Sequence, residues 1–428
     1  MNAHKLLIAI LLAAFVVRAA TGLLLQGWLD EKPNQTFLIE GDANGYWELG
    51  RQLAAGEPYD VYLPPRKVLR MPGFPALLAL PIRLAECLER PERSMLLARL
   101  LLAAVGAISC GLVYWLGKEL CDQTTGLIGA AIAASLPTLI GFSVVVLSET
   151  LFAGCLTASL IMMVKLTATG FDKSARVRSI SLSLAVGVSV AVACYVRPSW
   201  LLTGLIFAVI PVGFTASRKQ ALLRGVLILV GLFAALSPWA VRNQRVTGHY
   251  VLTTLWVGPS LYDGLNPNAT GDSNMEFIRT DRLIGKVSEY DLDRHYRREA
   301  WQYAFDHPGH TLRLAAAKLW RFWKPLPNAK QFASFWLRVA VLLSFAPLCL
   351  FAAWGWWVSR HEPMTWLFTV GPILYFSAIH MVFVSSLRYR LPAEYPLCVL
   401  AAVGLRSCFQ AISGWRNRSG VPDGVGEQ

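Results

Sequence analysis

Charge is scarce in this sequence: of 428 residues, only 16% are Asp, Glu, Lys or Arg, against roughly a quarter in soluble domains. With 55% hydrophobic residues, that scarcity excludes an ordinary soluble domain and places the chain among membrane proteins. Paired cysteines are lacking too. Eight cysteines occur, none spaced as CxxC, and Cys110, Cys155, Cys194, Cys349 and Cys398 fall inside apolar runs, which makes them small core residues rather than disulfide partners or ligands. No His, Cys and Asp cluster has metal-ligand spacing, so neither a metal nor a cofactor is expected. There is no internal repeat. Acids are outnumbered 27 to 40 by Lys and Arg, a net charge of +13, yet no compact basic domain or aromatic RNA-binding signature accompanies the excess, and nucleic acid is excluded as a partner.

What the sequence has instead is long apolar runs. Ten are near the 17 to 25 residues needed to cross a hydrocarbon core: 6–25, 95–116, 124–140, 145–167, 179–196, 199–216, 222–240, 335–358, 364–385 and 391–409. The first is too long for the core of a cleaved signal peptide and carries Arg18, so it is read as a span. Lys and Arg near span ends set the orientation. One side collects thirteen in its short loops and the other three, Arg197, Arg388 and Arg390. Both termini are therefore expected in the cytoplasm, with the long segments 26–94 and 241–334 outside.

The expected organisation is a transmembrane module over 1–240 containing the outer loop 26–94, an outer-face loop over 241–334, transmembrane helices over 335–410 and a cytoplasmic tail over 411–428. Within the second loop, 290–305 and 307–323 space their apolar and aromatic residues as amphipathic helices, with Pro308 at a helix start. Residues 72–84 are apolar but hold Pro75 and Pro81 and are too short to span, which reads as an interfacial or re-entrant helix. The tail from Ser419 is Gly-rich and polar and is expected to be disordered.

The residues that demand an explanation are the ionisable ones at the outer span ends. Asp42 lies in GDANGYWELG just beyond the first span, and alone would be read as the N-cap of a helix over 44–55. Company changes that. Arg70 stands in RMPGFP, Glu149 opens the fourth span, Arg197-Pro198 follows the fifth, Arg242 and Asn243 follow the seventh, and Arg388 and Arg390 follow the ninth. Snorkelling explains any single arginine near a span end, but not two acids accompanied by repeated Arg-Pro and Pro-Gly turns. Guanidinium groups bind phosphate bidentately, and a neighbouring carboxylate suits proton abstraction from a hydroxyl or amine. At a membrane face, the pair of features points to an enzyme acting on a lipid-linked phosphate.

The motifs GDANGYWELGRQLAAGEPY, RMPGFPALLAL, LSETLF, YVRPSW, SPWAVRN with GPSLYDGLNPNATG, AFDHPGHTLRLAAAKLWRFW and RYRLPAEYP follow one another from the start of the chain to about residue 410. In that order they resemble the GT-C superfamily of membrane glycosyltransferases, specifically the family 39-like group of protein O-mannosyltransferases, aminoarabinose transferases and Rgt-type sugar transferases. The resemblance implies an all-α polytopic GT-C-like fold of about ten transmembrane helices with amphipathic helices on the outer face. It implies a multi-pass enzyme of the inner (plasma) membrane whose site faces the periplasm or exterior. A sugar would pass from a polyprenyl-phosphate donor to a lipid, glycan or protein acceptor with inversion at the anomeric carbon. Asp42 would be the general base or an acceptor-orienting carboxylate, with Glu149 orienting the acceptor or an arginine. Arg388 and Arg390 would hold the donor phosphate, and Arg70, Arg197 and Arg242 are further candidates for that task. Relatives carry an adjacent Asp-Glu pair where this chain has Asp42-Ala43, which speaks against a metal.

Two other readings share the composition. A lipid-linked glycan ligase or polymerase also needs an outer loop with arginines. A flippase or secondary transporter would place its charges near the midplane between inverted repeats, whereas here they gather at one boundary.

Overall fold

The computed structural model describes residues 2–32, 34–170, 175–215, 217–326 and 334–418. They are helical, and besides helices they form only two isolated bridges, Val61 with Arg66 and Ile284 with Val287. The chain begins with α1 (Ala3–Asp30), α2 (Asp42–Ala55), α3 (Gly73–Cys87), α4 (Ser94–Leu120), α5 (Gln123–Ser135), α6 (Pro137–Phe142), α7 (Glu149–Thr167) and α8 (Arg176–Val196). It continues with α9 (Thr203–Val209), α10 (Pro211–Phe214), α11 (Arg218–Thr247), α12 (Val257–Gly264), α13 (Phe277–Thr280), α14 (Glu289–Asp306) and α15 (Pro308–Trp323). The last four are α16 (Phe335–Val358), α17 (Pro363–Thr369), α18 (Gly371–Val382) and α19 (Leu391–Arg418).

Among the described residues, seven helices are long and apolar enough to cross a membrane, lying in α1, α4, α7, α8, α11, α16 and α19. The pair α17 and α18, bent by 42°, makes an eighth if taken as one span. The other two expected runs are interrupted. Pro137 separates α5 from α6, and 199–216 divides into the Pro198–Trp200 turn, α9 and α10, the last beginning at Pro211. Proline has no N–H to donate and disfavours a helical residue before it, and these two runs break at Pro137 and at Pro198 and Pro211, whereas α11, α16 and α19 carry Pro238, Pro347 and Pro396 inside a continuous helix. The expected loop helices 290–305 and 307–323 are α14 and α15, the first capped by Ser288, whose hydroxyl accepts the Asp291 N–H. α3 covers the proline-bearing stretch of the first loop, and α19 carries on to Arg418, into the stretch expected as tail. The remainder of that tail lies outside the described residues.

A broken span strands backbone carbonyls in an apolar medium, where each must find a donor. The carbonyl of Ala133 would normally receive the N–H of residue 137, which is a proline. Arg18, fully buried in α1, supplies the donor instead: Nη2 lies 3.0 Å from Ala133 O, and Nη1 lies 3.2 Å from Ala134 O. Arg99 of α4 does the same farther along, with Nη1 2.9 Å from Val144 O and Nε 2.9 Å from the Gln26 amide oxygen. Two buried arginines thus fix the segment between α5 and α7 that delivers Glu149.

Small residues bring the spans close, as expected where no hydrophobic drive separates helix from lipid. α16 and α19 cross at Gly355 and Gly404. A methyl group on Gly355 would collide with the Leu400 carbonyl, and one on Gly404 with that of Phe351. α8 and α11 meet the same way at Gly187 and Gly231. The loop helices are tied to the bundle by Lys318 of α15, whose buried amine donates to Val382 O at 2.7 Å and Met381 O at 3.3 Å, the carbonyl end of α18.

Candidate active site

At the end of the bundle where α1 and α8 finish and α7 and α19 begin, the loops enclose a chamber of about 1520 Å³. Its walls come from both long loops and from the span ends. Asp42, Arg70, Glu149, Arg197 and Arg388 all line it.

Asp42 is the first residue of α2, and the residue before it, Gly41, has φ +77°, a region an L side chain avoids. The N-cap position belongs to Gly41, and no side-chain cap forms there. The carboxylate instead lies between two guanidinium groups: Oδ1 is 2.5 Å from Arg70 Nη2, and Oδ2 is 2.6 Å from Arg388 Nη2. The capping explanation of Asp42 is therefore replaced by an ion triad. Burial pushes the Asp42 carboxyl upward, but the charges and hydrogen bonds of Arg70 and Arg388 outweigh it and hold the group far below the usual carboxylate range. Burial opposes the charge on both arginines as well, yet with Asp42 on each, and Tyr389 on Arg388, both stand above the ordinary guanidinium value.

Glu149 starts α7 and is 3% exposed. Its Oε1 receives Arg197 at 2.9 Å and faces Arg388 Nε at 3.8 Å, so Arg388 touches both acids. The second oxygen, Oε2, is buried and has no partner among the described residues. Arg70 Nε, Arg321 Nε and the hydroxyls of Thr138 and Ser385, on residues that also border the chamber, are in the same condition. Buried polar atoms without partners are uncommon, and five around one chamber among the described residues describe a lining built to meet a polar ligand.

Arg388 and Arg390 part company. They flank Tyr389 at a short 3-10 turn, Leu387–Tyr389, where residues two apart point about 240° from each other. Arg388 faces the chamber. Arg390 turns into the bundle, fully buried, with Nε 2.7 Å from Glu394 Oε1 and Nη1 2.9 Å from the carbonyls of Phe322 and Lys324. Arg242 also lies outside the lining: it donates to Lys67 O at 2.5 Å and Tyr59 O at 2.9 Å, fastening the loop that leads to Arg70. Five of the seven candidates from the sequence are thus gathered, and Arg390 and Arg242 support the walls.

Sequence reasoning passed over Tyr389. Its hydroxyl accepts from Arg388 Nη2 at 3.0 Å, its ring stacks on His380 with centroids 4.6 Å apart, and Arg197 lies over it at 5.3 Å. Its place between two arginines in RYR was the available signal. Tyr46, one turn beyond Asp42, had none; its hydroxyl lies 3.4 Å from that of Ser148, beside Glu149. As for a metal, both acids are already engaged by guanidinium groups, and among the described residues no three His, Cys, Asp or Glu side chains gather as ligands.

The sequence matches no protein-family model and no curated protein. Solved structures do match. The apo oligosaccharyltransferase of Archaeoglobus fulgidus superposes with a TM-score of 0.58 at 15% identity, over 99% of this chain and 53% of that one. The same organism's AglB, in complex with an inhibitory peptide and a dolichol-phosphate, gives 0.54 at 14% identity over 97% and 52%. ArnT from Cupriavidus metallidurans, bound to undecaprenyl phosphate, gives 0.53 at 16% identity over 96% and 62%. This chain spans about half the length of the oligosaccharyltransferase and about three-fifths that of ArnT. The fold is that of the GT-C membrane glycosyltransferases. With its long apolar helices, the chain is an integral membrane protein of that architecture.

Proposed function

We propose that the chain is a glycosyltransferase that moves a sugar from a polyprenyl-phosphate donor to a lipid, glycan or protein acceptor, at the non-cytoplasmic face of the plasma membrane. The observation that carries this reading is Asp42 held between Arg70 and Arg388 on the wall of a large chamber at the span ends. Two structures that share the fold support the reading: one is bound to undecaprenyl phosphate and another to a dolichol-phosphate.

The reaction follows from the groups present. The donor phosphate takes its place against Arg388 and Arg70, which turn hydrogen bonds from Asp42 toward the phosphate oxygens. The acceptor oxygen or nitrogen attacks the anomeric carbon as the bond from that carbon to the phosphate oxygen breaks, its electron pair leaving with the phosphate. Guanidinium charge stabilises the departing phosphate, the type of electrostatic term that dominates such catalysis. Asp42, relieved of part of its ion pairing, receives the acceptor proton. One displacement inverts the configuration. Glu149, with one oxygen on Arg197 and the other open, is suited to orienting the acceptor.

A comparison of envelope lipids and glycans in cells with and without the gene tests the reading. A sugar missing from one glycoconjugate, with its polyprenyl-phosphate form accumulating, is the expected result. Unchanged glycoconjugates and lipid pools contradict it.

A further inference from the structure

Six arginines border the chamber. Arg70 and Arg388 share Asp42, Arg197 has Glu149, Arg297 lies on Asp293 and Arg321 on Asp272. Arg66 differs. It is only 7% exposed, yet among the described residues its guanidinium has no hydrogen-bond acceptor and no carboxylate in ion-pair contact. The acid with most influence on it is Glu289, but the two oxygens of Glu289 are taken by the N–H groups of Lys67 and Val68 at 3.0 and 3.1 Å. Burial accordingly pulls the Arg66 guanidinium below its ordinary range, against the opposing effect of Glu289.

The position is built rather than accidental. Arg66 and Val61 exchange backbone hydrogen bonds of 3.0 and 3.1 Å. Arg242 holds the neighbouring Lys67 carbonyl, and the Leu255 N–H donates to Val68 O at 2.9 Å. The guanidinium carbon lies 4.5 Å from the Trp256 ring centroid, a cation–π contact that braces the group. A mostly buried cation whose nearest acid is already hydrogen-bonded to backbone amides keeps donor capacity to spare, and an anion that arrives with a ligand can use it.

The surroundings say which ligand. Arg388 stands among span ends, where a lipid-borne donor enters, whereas Trp256, Glu289 and the Tyr62 turn around Arg66 belong to the two long loops. We propose that Arg66, braced on Trp256, is the subsite for an anionic group carried by the acceptor, a sugar phosphate or a sugar carboxylate. The assignment to the acceptor rests on the glycosyltransferase reading, and the anion subsite itself does not.

Calorimetric titration of the full chain in detergent, with undecaprenyl phosphate saturating the Arg70 and Arg388 end, tests it. The probes are glucose 6-phosphate, glucuronate and neutral methyl glucoside. At least one anionic probe is expected to bind about tenfold or more tightly than the neutral one, and the tighter anion assigns phosphate or carboxylate. Arg66→Gln should erase that preference and Arg66→Lys keep part of it, with undecaprenyl phosphate affinity unchanged within about twofold. Preference that survives in Arg66→Gln, or is absent in the natural chain, overturns the proposal. So does a parallel loss of undecaprenyl phosphate affinity, which would place Arg66 in the donor site. If Arg66→Gln does not fold, Trp256→Leu, which removes the brace and spares the charge, should weaken the anionic probes several-fold; no change there also overturns it. Failure of undecaprenyl phosphate to bind the natural chain contradicts the glycosyltransferase reading instead, and the probe titrations alone still decide Arg66.

Discussion

Arg388 Nη2 donates to Asp42 Oδ2 at 2.6 Å and to the Tyr389 hydroxyl at 3.0 Å, so one nitrogen ties the candidate base to the aromatic wall of the chamber. With Arg70 on the other oxygen, Asp42 is kept ionised well below the usual carboxylate range, in spite of burial. A carboxyl whose folded value is depressed contributes stability above its unfolded value and loses it only as pH falls through the folded one. The rate at low substrate should therefore show no acid limb near the ordinary value of about 3.9. Arg70→Gln removes one of the two charges and should move the limb upward into the measurable range, as read from kcat/KM between pH 4 and 8. A limb that does not move contradicts the assignment.

Arg390 and Glu394 form a buried pair away from the chamber. Arg390→Met leaves the Glu394 carboxylate uncompensated and is expected to cost about 3–5 kcal/mol of stability. The double change Arg390→Met with Glu394→Leu should recover most of it, because a buried pair replaced by apolar groups is often neutral. Thermal unfolding in detergent reads this, and donor KM in the double variant should stay near the natural value. A large rise in donor KM would return Arg390 to phosphate binding.

Arg18→Leu takes away the donors to the Ala133 and Ala134 carbonyls at the break before Pro137. Each carbonyl left without a partner costs about 1–3 kcal/mol, and the unfolding temperature should fall accordingly. Loss of activity should exceed loss of folded protein, because the same segment carries Glu149. Equal losses would reduce Arg18 to a purely structural role.

Gly404→Val places a branched side chain against the Phe351 carbonyl at the crossing of α16 and α19. Overpacking of that kind costs about 1–3 kcal/mol or more. The same change at Gly141, where nothing lies within 4 Å of an added methyl, should cost far less. Comparable unfolding temperatures for the two variants would contradict the close crossing.

Much of the architecture could be read from composition. Apolar runs and loop helices leave period and length signals that local sequence carries, and α14 and α15 appear where their aromatic spacing put them. Continuity of the spans was less legible, because a run such as 124–140 keeps its hydropathy across Pro137 while its backbone does not. At the site, residue type and boundary position were enough to collect Asp42, Arg70, Glu149, Arg197 and Arg388. They could not separate Arg388 from Arg390, since the turn that sends them to opposite sides is a local backbone choice. Arg66 left no sequence signal at all: that no carboxylate among the described residues pairs with it is visible only once the chain is folded.

The central claim is that Asp42 takes the acceptor proton during transfer from a polyprenyl-phosphate sugar. Its most direct test is the release of polyprenyl phosphate by purified protein supplied with such a donor and the acceptor identified from envelope glycans, comparing the natural chain with Asp42→Asn. The account predicts a fall in rate of about 10²–10⁴-fold with donor binding retained; a rate within about twofold of the natural chain would contradict it.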